Sequence, residues 1–262
     1  MHEAMCLSGG GTKAITLLGM LYEWKKSGRL ENIKTISACS AGAFIAVLYL
    51  CKINFLQMLK FIPKMENVTP SLDILQTLMT KAGIKRIQKY TKKVREIVFH
   101  FTGIEECTLK DFFDKTGVTL YIEAVDITNC EVVYFNHIDH PTCLLMDAVH
   151  ASAAIPGVFI PIKIGKSSFI DGGFYSAMPI EPIMDLETVA FGFANNNSEM
   201  FLITMIKLHS SLVKKEAIKR HKKLTVVECI SNFGLLDFNK TYEELFEEFV
   251  HGRKQCENWD VS

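Results

Sequence analysis

Thr35-Ile36-Ser37-Ala38-Cys39-Ser40-Ala41-Gly42 is an apolar strand that breaks into a turn of small residues with a serine at its tip. The apolar run that follows, Gly42 to Cys51, predicts a helix. A serine hydroxyl is a poor nucleophile until a neighbouring base takes its proton, and it must stand clear of the sheet to meet a carbonyl carbon. A strand turning sharply into a helix achieves this when small residues flank the serine. Ala38, Ala41 and Gly42 meet that condition around Ser40. The helix N-terminus that follows favours developing negative charge. An ordinary polar residue in a strand-to-helix turn fits the same stretch, so support must come from elsewhere in the chain.

Upstream, Ala4 to Ser8 reads as a short buried strand running into Gly9-Gly10-Gly11-Thr12-Lys13. Consecutive glycines after a strand let backbone N–H groups converge on an anion. That is what an oxyanion requires, each well-placed donor being worth roughly 3 to 4 kcal/mol. A flexible turn is the plainer reading. A nucleotide phosphate loop fails, because no Gly-Lys-Ser/Thr stands at the required spacing. A dinucleotide loop fails because Ala14 stands where a third glycine belongs. Lys13 to Ser27 carries Ile15, Leu18, Leu21, Tyr22 and Trp24 at helical spacing, and Gly28 stops the helix.

Downstream, Ser168-Phe169-Ile170 leads into Asp171-Gly172-Gly173, a strand ending in a carboxylate where the backbone bends freely. Asp171 is the candidate base for Ser40. An unperturbed aspartate, with a pKa of about 3.9, is weak for this task, and partial desolvation would strengthen it. A turn aspartate is the plainer reading, and Asp126 is a rival base. The histidines, among them His100, His137, His140 and His150, lie outside any glycine-rich or small-residue turn, so a Ser-His-Asp arrangement is not favoured.

The opening strand–helix–strand–helix order predicts an α/β sandwich with a mainly parallel sheet. Residues 53–101 read as helical. Within them Lys85–Phe101 places Ile84, Ile87, Val94, Ile97, Val98 and Phe101 on one side and Lys85, Lys89, Lys92 and Lys93 on the other. A solvated face is the plainer reading of these lysines; as the sharper one, this face and the apolar stretch Phe55–Ile62 are candidates for contact with an anionic membrane. Thr108 is a candidate cap for a helix over Leu109–Lys115. Val118–Thr128 and Glu131–Phe135 read as a hairpin through Asn129-Cys130, and Leu145–Ala154 as a helix stopped by Pro156. Met200–Ile206 reads as a strand and Thr241–Gln255 as a surface helix.

At 262 residues, 48% of them hydrophobic, the chain has material for one large core, and no linker or repeat divides it. The expectation is a single domain over 1–262, with residues 183–262 packed on the rest. Lys and Arg total 29 and so do Asp and Glu, which leaves no field to attract nucleic acid. The eight cysteines contain no C-x-x-C pair, so zinc-site and thioredoxin-like readings have no support, and several lie in apolar runs like buried reduced thiols. No secretory signal precedes the first strand. The longest apolar stretch, Ala41–Cys51, falls short of the roughly 20 residues that span a bilayer. A cytoplasmic protein, peripheral at membranes, is expected.

Taken together these motifs resemble the patatin-like phospholipase family. The resemblance rests on Gly9-Gly10-Gly11 with Lys13, on Ala38-Cys39-Ser40-Ala41-Gly42, on Ala151-Ser152-Ala153-Ala154-Ile155-Pro156-Gly157-Val158-Phe159, and on Asp171-Gly172-Gly173 within Phe169 to Pro179. These lie in order across residues 5 to about 182. Two positions depart from the family pattern: Ala38 replaces the first glycine of the elbow, and Ala14 a glycine after the basic residue. The resemblance implies a three-layer α/β/α fold and hydrolysis of fatty acyl esters of phospholipids or other glycerolipids, at a membrane or lipid-droplet surface, without metal or cofactor. It implies Ser40 as nucleophile and Asp171 as base. It further implies an oxyanion site from the Gly9, Gly10, Gly11 and Ala41 region, with Lys13 bracing the loop or attracting a lipid phosphate. A catalytically silent lipid-binding member of the fold, a transacylase using the same site, and a nucleotide-binding domain are the competing readings.

Overall fold

The central strand β1 (Ala4–Leu7) alternates between two apolar environments. Met5 and Leu7 enter one hydrophobic cluster and Ala4 and Cys6 another, and all four are fully buried. A strand buried on both faces requires cover above and below, which is the α/β/α condition. A computed structural model describes residues 2–61, 85–194 and 201–257.

Eight strands form one sheet in the order β5-β6-β3-β2-β1-β7-β8, with β4 paired to β3. They are β1, β2 (Thr35–Cys39), β3 (Thr119–Asp126), β4 (Glu131–Phe135), β5 (Ile162–Ile164), β6 (Ser167–Asp171), β7 (Thr188–Phe193) and β8 (Leu224–Cys229). The pairs β1·β2, β1·β7, β2·β3 and β7·β8 are parallel, whereas β3·β4, β3·β6 and β5·β6 are antiparallel. The chain builds outward from β1 on one side through β2 and β3, then returns to the other side of β1 with β7. The strand order therefore reverses beside β1, and in open α/β sheets ligands bind at the carboxyl ends of strands at such a point.

The register of β3 matters most for the site. Along one edge, β4 pairs with Ile122–Asp126. Along the other edge, parallel β2 pairs as far as Cys39↔Glu123, and antiparallel β6 takes over at Asp171↔Ala124. Two strands running in opposite directions thus meet tip to tip on consecutive residues of β3, whose spacing is about 3.3 Å.

Helix α1 (Ala14–Lys26) and helix α2 (Ala41–Leu50) pack on the larger cluster. Apolar residues surround α2 on every side, as in a helix with no solvent face. Gly28, at φ 75°, ends α1. Helix α3 spans Lys92–Thr102, and helix α4 (Leu109–Thr116) starts at a capping box between Thr108 and Asp111. Helix α5 spans Leu145–Ser152, helix α6 Phe201–Arg220 and helix α7 Tyr242–Glu257. Ala217 of α6 joins the smaller cluster with Met178, Ile180 and Ile183, closing the second face.

Three expectations need correction. Lys85–Phe101 is not one helix. Lys85 forms an isolated bridge with Phe159, residues 87–89 make a 3-10 turn, and the helix begins at Lys92. Lys85 and Lys89 are therefore off the helix, and no four-lysine face exists on it. Phe55, Met58 and Leu59 are buried in the core rather than presented to a membrane, and Leu56 and Gln57 of that turn are exposed. Ile62 and Ile84 lie outside the described residues. Residues 201–206, read as strand, belong to α6, because the apolar run continues into a polar helical stretch ending at Arg220. The C-terminal helix lies at the surface as expected, with its other face buried. Leu245, Phe249 and Cys256 are buried, and α7 meets α1 backbone to backbone. A Cβ on Gly19 would lie 2.1 Å from Phe249 O, and one on Gly252 2.0 Å from Thr16 O.

Candidate active site

Ser40 follows β2 and precedes α2 with φ 53° and ψ −123°. This is the left-handed region, uncommon for a residue with a Cβ, and such strain persists only where surroundings over-determine it. The surroundings are visible here. Ser40 N–H donates to Ser152 Oγ at 2.8 Å, from the end of α5. On the other side the start of α2 presses on the end of β1: a Cβ on Gly42 would lie 2.4 Å from Leu7 O and 2.7 Å from Ser8 O. Ala38, at the family's glycine position, keeps a negative φ within β2, so its methyl group is accommodated.

Asp171 ends β6, and its N–H donates to Ala154 O at 3.1 Å. Because Cys39 and Asp171 sit on adjacent residues of β3, the residue after Cys39 arrives beside the carboxylate. Ser40 Oγ donates to Asp171 Oδ2 at 2.6 Å. Asp171 Oδ1 accepts from Gly173 N at 2.8 Å, and Cys39 Sγ lies 3.9 Å from it. Burial pushes the Asp171 carboxyl up to about 6, against the opposing pull of hydrogen bonds from Ser40, Gly173 and Cys39. Gly172 is required by close approach, since a Cβ there would lie 2.5 Å from Glu123 O. Glu123 itself is fully buried, and its desolvation, together with the nearby Glu181 carboxylate, holds its carboxyl well above the ordinary value.

The rival base is otherwise occupied. Asp126 accepts from Thr128 N, Asn129 N and Asn129 Nδ2, closing the β3–β4 turn. Burial works to raise its carboxyl, but hydrogen bonds from Ser167, Thr128 and Asn129 outweigh that and hold it below the ordinary value. Among the described residues, histidine side chains bond elsewhere: His150 to Thr91 Oγ1, His2 to Thr225 Oγ1, and His221 and His251 to backbone carbonyls.

The glycine loop lies directly over this pair, a Cβ on Gly9 falling 3.1 Å from Ser40 Cβ. Its members are not equivalent. Gly9 N–H is already spent on Ala177 O at 2.8 Å, so Gly9 is corrected from donor to spacer. Among the described residues no acceptor takes the N–H of Gly10 or Gly11. Gly11 adopts φ 54°, and a Cβ there would meet Leu235 O at 2.0 Å. Lys13 is buried at the end of the short 3-10 turn Gly11–Lys13 and is not a wall of the cavity beside Ser40. Burial depresses its ammonium group, with Cys229 acting weakly in the opposite direction.

That cavity, about 130 Å³, is lined almost wholly by carbon. Ser40 and Gly11 lie in its wall with Ala41, Phe44, Ile45 and Leu48, which form one face of α2. The face from Ala41 to Leu48 extends about 10 Å along the helix axis. Leu18, Met58, Val94, Phe159 and Phe238 contribute further wall. Among the described residues no group of histidine, cysteine and acidic side chains is arranged to hold a metal ion. Nor is any described helix long and apolar enough to cross a membrane.

Sequence reasoning missed Ser152, Glu123, Phe238 and the segment around Leu235. Ser152 lay inside the quoted Ala151–Phe159 stretch, where a hydroxyl among alanines was its signal. The others come from elements whose pairing only the fold reveals.

The chain is 28% identical over 193 residues to "Probable lipid hydrolase 463L" of Invertebrate iridescent virus 6, covering 69% of this chain and 62% of that protein. It is 27% identical over 210 residues to a patatin-like phospholipase domain-containing protein of Candida albicans, covering 72% of this chain but 24% of that protein. The chain thus spans under two thirds of these relatives' length. In fold it is similar to VipD from Legionella pneumophila, with a TM-score of 0.55 and 15% identity over 97% of this chain and 66% of that one. It is also similar to the type III effector protein ExoU, with a TM-score of 0.50 and 16% identity over 97% of this chain and 52% of that one. The family model for patatin-like phospholipase matches residues 5–184, from the first strand past the Asp171 turn, and the chain belongs to that family.

Proposed function

We propose that this protein is a serine lipid acyl hydrolase that cleaves fatty acyl esters of phospholipids or other glycerolipids at a lipid surface. One observation carries the reading: the 2.6 Å Ser40–Asp171 hydrogen bond stands in the wall of an apolar cavity, beneath a glycine loop with uncommitted N–H groups. The relatives' lipid hydrolase and phospholipase names support the same class of substrate. The acyl chain lies along α2, placing its ester carbonyl at Ser40. Ser40 Oγ attacks the carbonyl carbon while Asp171 Oδ2 takes the proton, which a carboxylate raised toward 6 does more readily than an ordinary one. The carbonyl oxygen becomes an oxyanion held by Gly10 and Gly11 N–H and by Ala41 at the start of α2. The ester bond breaks, and the leaving alcohol takes the proton from Asp171. Water then attacks the acyl-enzyme and gives its proton to Asp171, which passes it to Ser40 Oγ as the acyl–oxygen bond breaks and the fatty acid leaves.

The test is a lipid and ester panel run on wild type, Ser40→Ala and Asp171→Asn, with a fluorophosphonate probe for Ser40. Turnover and labelling in wild type, both lost in Ser40→Ala, are expected. A wild type that neither turns over any ester nor accepts the probe would refute the reading in favour of a silent lipid binder.

A further inference from the structure

The glycine loop has little rigidity of its own, since consecutive glycines carry the largest backbone entropy of any residues. Donors to an oxyanion nevertheless act only within a narrow range of positions, and a 1 Å displacement can cost about a hundredfold in rate. Something must hold Gly10 and Gly11. The family match stops at residue 184, yet what lies against Gly10 and Gly11 comes from beyond it. Phe193, at the end of β7, lies against Gly10, where a Cβ would fall 2.4 Å from its ring. Leu235 O lies against Gly11 and accepts Thr12 N–H at 3.2 Å. The Thr12 hydroxyl donates to Gly234 O at 2.7 Å and accepts from Asp237 N at 3.1 Å. Asp237 in turn accepts Gly234 N–H on Oδ2 at 2.8 Å, so the turn closes around that hydroxyl.

The turn is anchored from behind. Glu248 of α7, buried, accepts from Ser231 Oγ at 2.9 Å, Asn232 N at 3.1 Å and Asn232 Nδ2 at 3.0 Å, and also from Thr16 Oγ1 of α1. Phe238, just past the turn, enters the cavity wall.

We propose that Thr12 is a positioning residue of the anion-binding loop, and that the turn Gly234–Asp237, pinned by Glu248, is the clamp through which the C-terminal segment makes that loop competent. This rests on the hydrolase reading. Thr12 acts through its neighbours: its hydroxyl faces the clamp, and its loss lets Gly11 and Gly10 wander relative to the oxyanion.

The test compares wild type, Thr12→Val, Thr12→Ser and Asp237→Ala on a soluble short-chain ester, with Ser40→Ala as blank. Valine keeps the shape of threonine and removes both hydroxyl bonds, whereas serine keeps them. Asp237 is exposed, so its loss loosens the turn with little threat to folding. The expected result is a kcat about tenfold or more below wild type for Thr12→Val and Asp237→Ala, with KM within about twofold, and kcat restored in Thr12→Ser. Fluorophosphonate labelling of Ser40 should slow in parallel, because its phosphoryl oxygen occupies the same donors. Wild-type kcat in a folded Thr12→Val or in Asp237→Ala overturns the proposal, as does an equal loss in Thr12→Ser. A wild type with no Ser40-dependent turnover is a different outcome, which refutes the hydrolase reading and the positioning role with it.

Discussion

Ser40 holds a left-handed backbone with a single side-chain acceptor, Ser152, on its N–H. Ser152→Ala leaves that buried N–H without a partner, at a cost of about 1 to 3 kcal/mol. Its expected effect is a lower denaturation midpoint together with a kcat at least tenfold down, read from urea unfolding and ester turnover on the same preparation. As the proposed base, Asp171 should set the pH dependence. It accepts a proton from Ser40 only when ionised, and burial raises its carboxyl to about 6. The ratio kcat/KM should therefore climb as pH rises through about 6 and level off above it. Below that point it should fall about tenfold per pH unit. A profile flat from pH 4 to 8 would remove Asp171 as the base. Both residues were legible because each ends an apolar strand and is followed by small residues. Glu123 was not: a glutamate inside a strand signals nothing until the fold buries it behind that carboxylate.

At the scale of elements, α2 both aims the serine and walls the cavity. Leu48 lies two turns from Ser40 on the cavity face. Leu48→Trp should fill the far part of the cavity, lowering kcat/KM for long acyl esters while short ones keep theirs. An ester series of increasing chain length checks this. The α1–α7 crossing is set by glycines, so Gly252→Ala drives a methyl group into Thr16 O. About 1 to 3 kcal/mol of stability should be lost, measured as a shift in denaturant midpoint. Elements near the serine and aspartate were readable from local pattern. Others were not, for identifiable reasons. The apolar face read over Lys85–Phe101 was continued by a bridge and a 3-10 turn, whose Ile87 is buried like Val94 and Val98 of the helix. Residues 201–206 are too short an apolar run to distinguish strand from helix by periodicity. In α7 many charges concealed a buried stripe of Leu245, Phe249 and Cys256.

Across the whole molecule, local pattern suggested a parallel α/β sandwich but not its strand order, which is a matter of long-range pairing. The juncture on β3 shows what that order achieves. Ser40 and Asp171 are 131 positions apart in the chain, yet their separation is set by the bond between two neighbouring residues, Glu123 and Ala124. The pair is thereby insulated from the lengths of the connections between them. Loops in that stretch away from α2 and the end of α5 can be lengthened or trimmed without retuning the chemistry. Residues added in the Asn129-Cys130 turn should leave ester turnover nearly intact. One alanine inserted between Glu123 and Ala124 should abolish turnover by moving the two strand tips out of line.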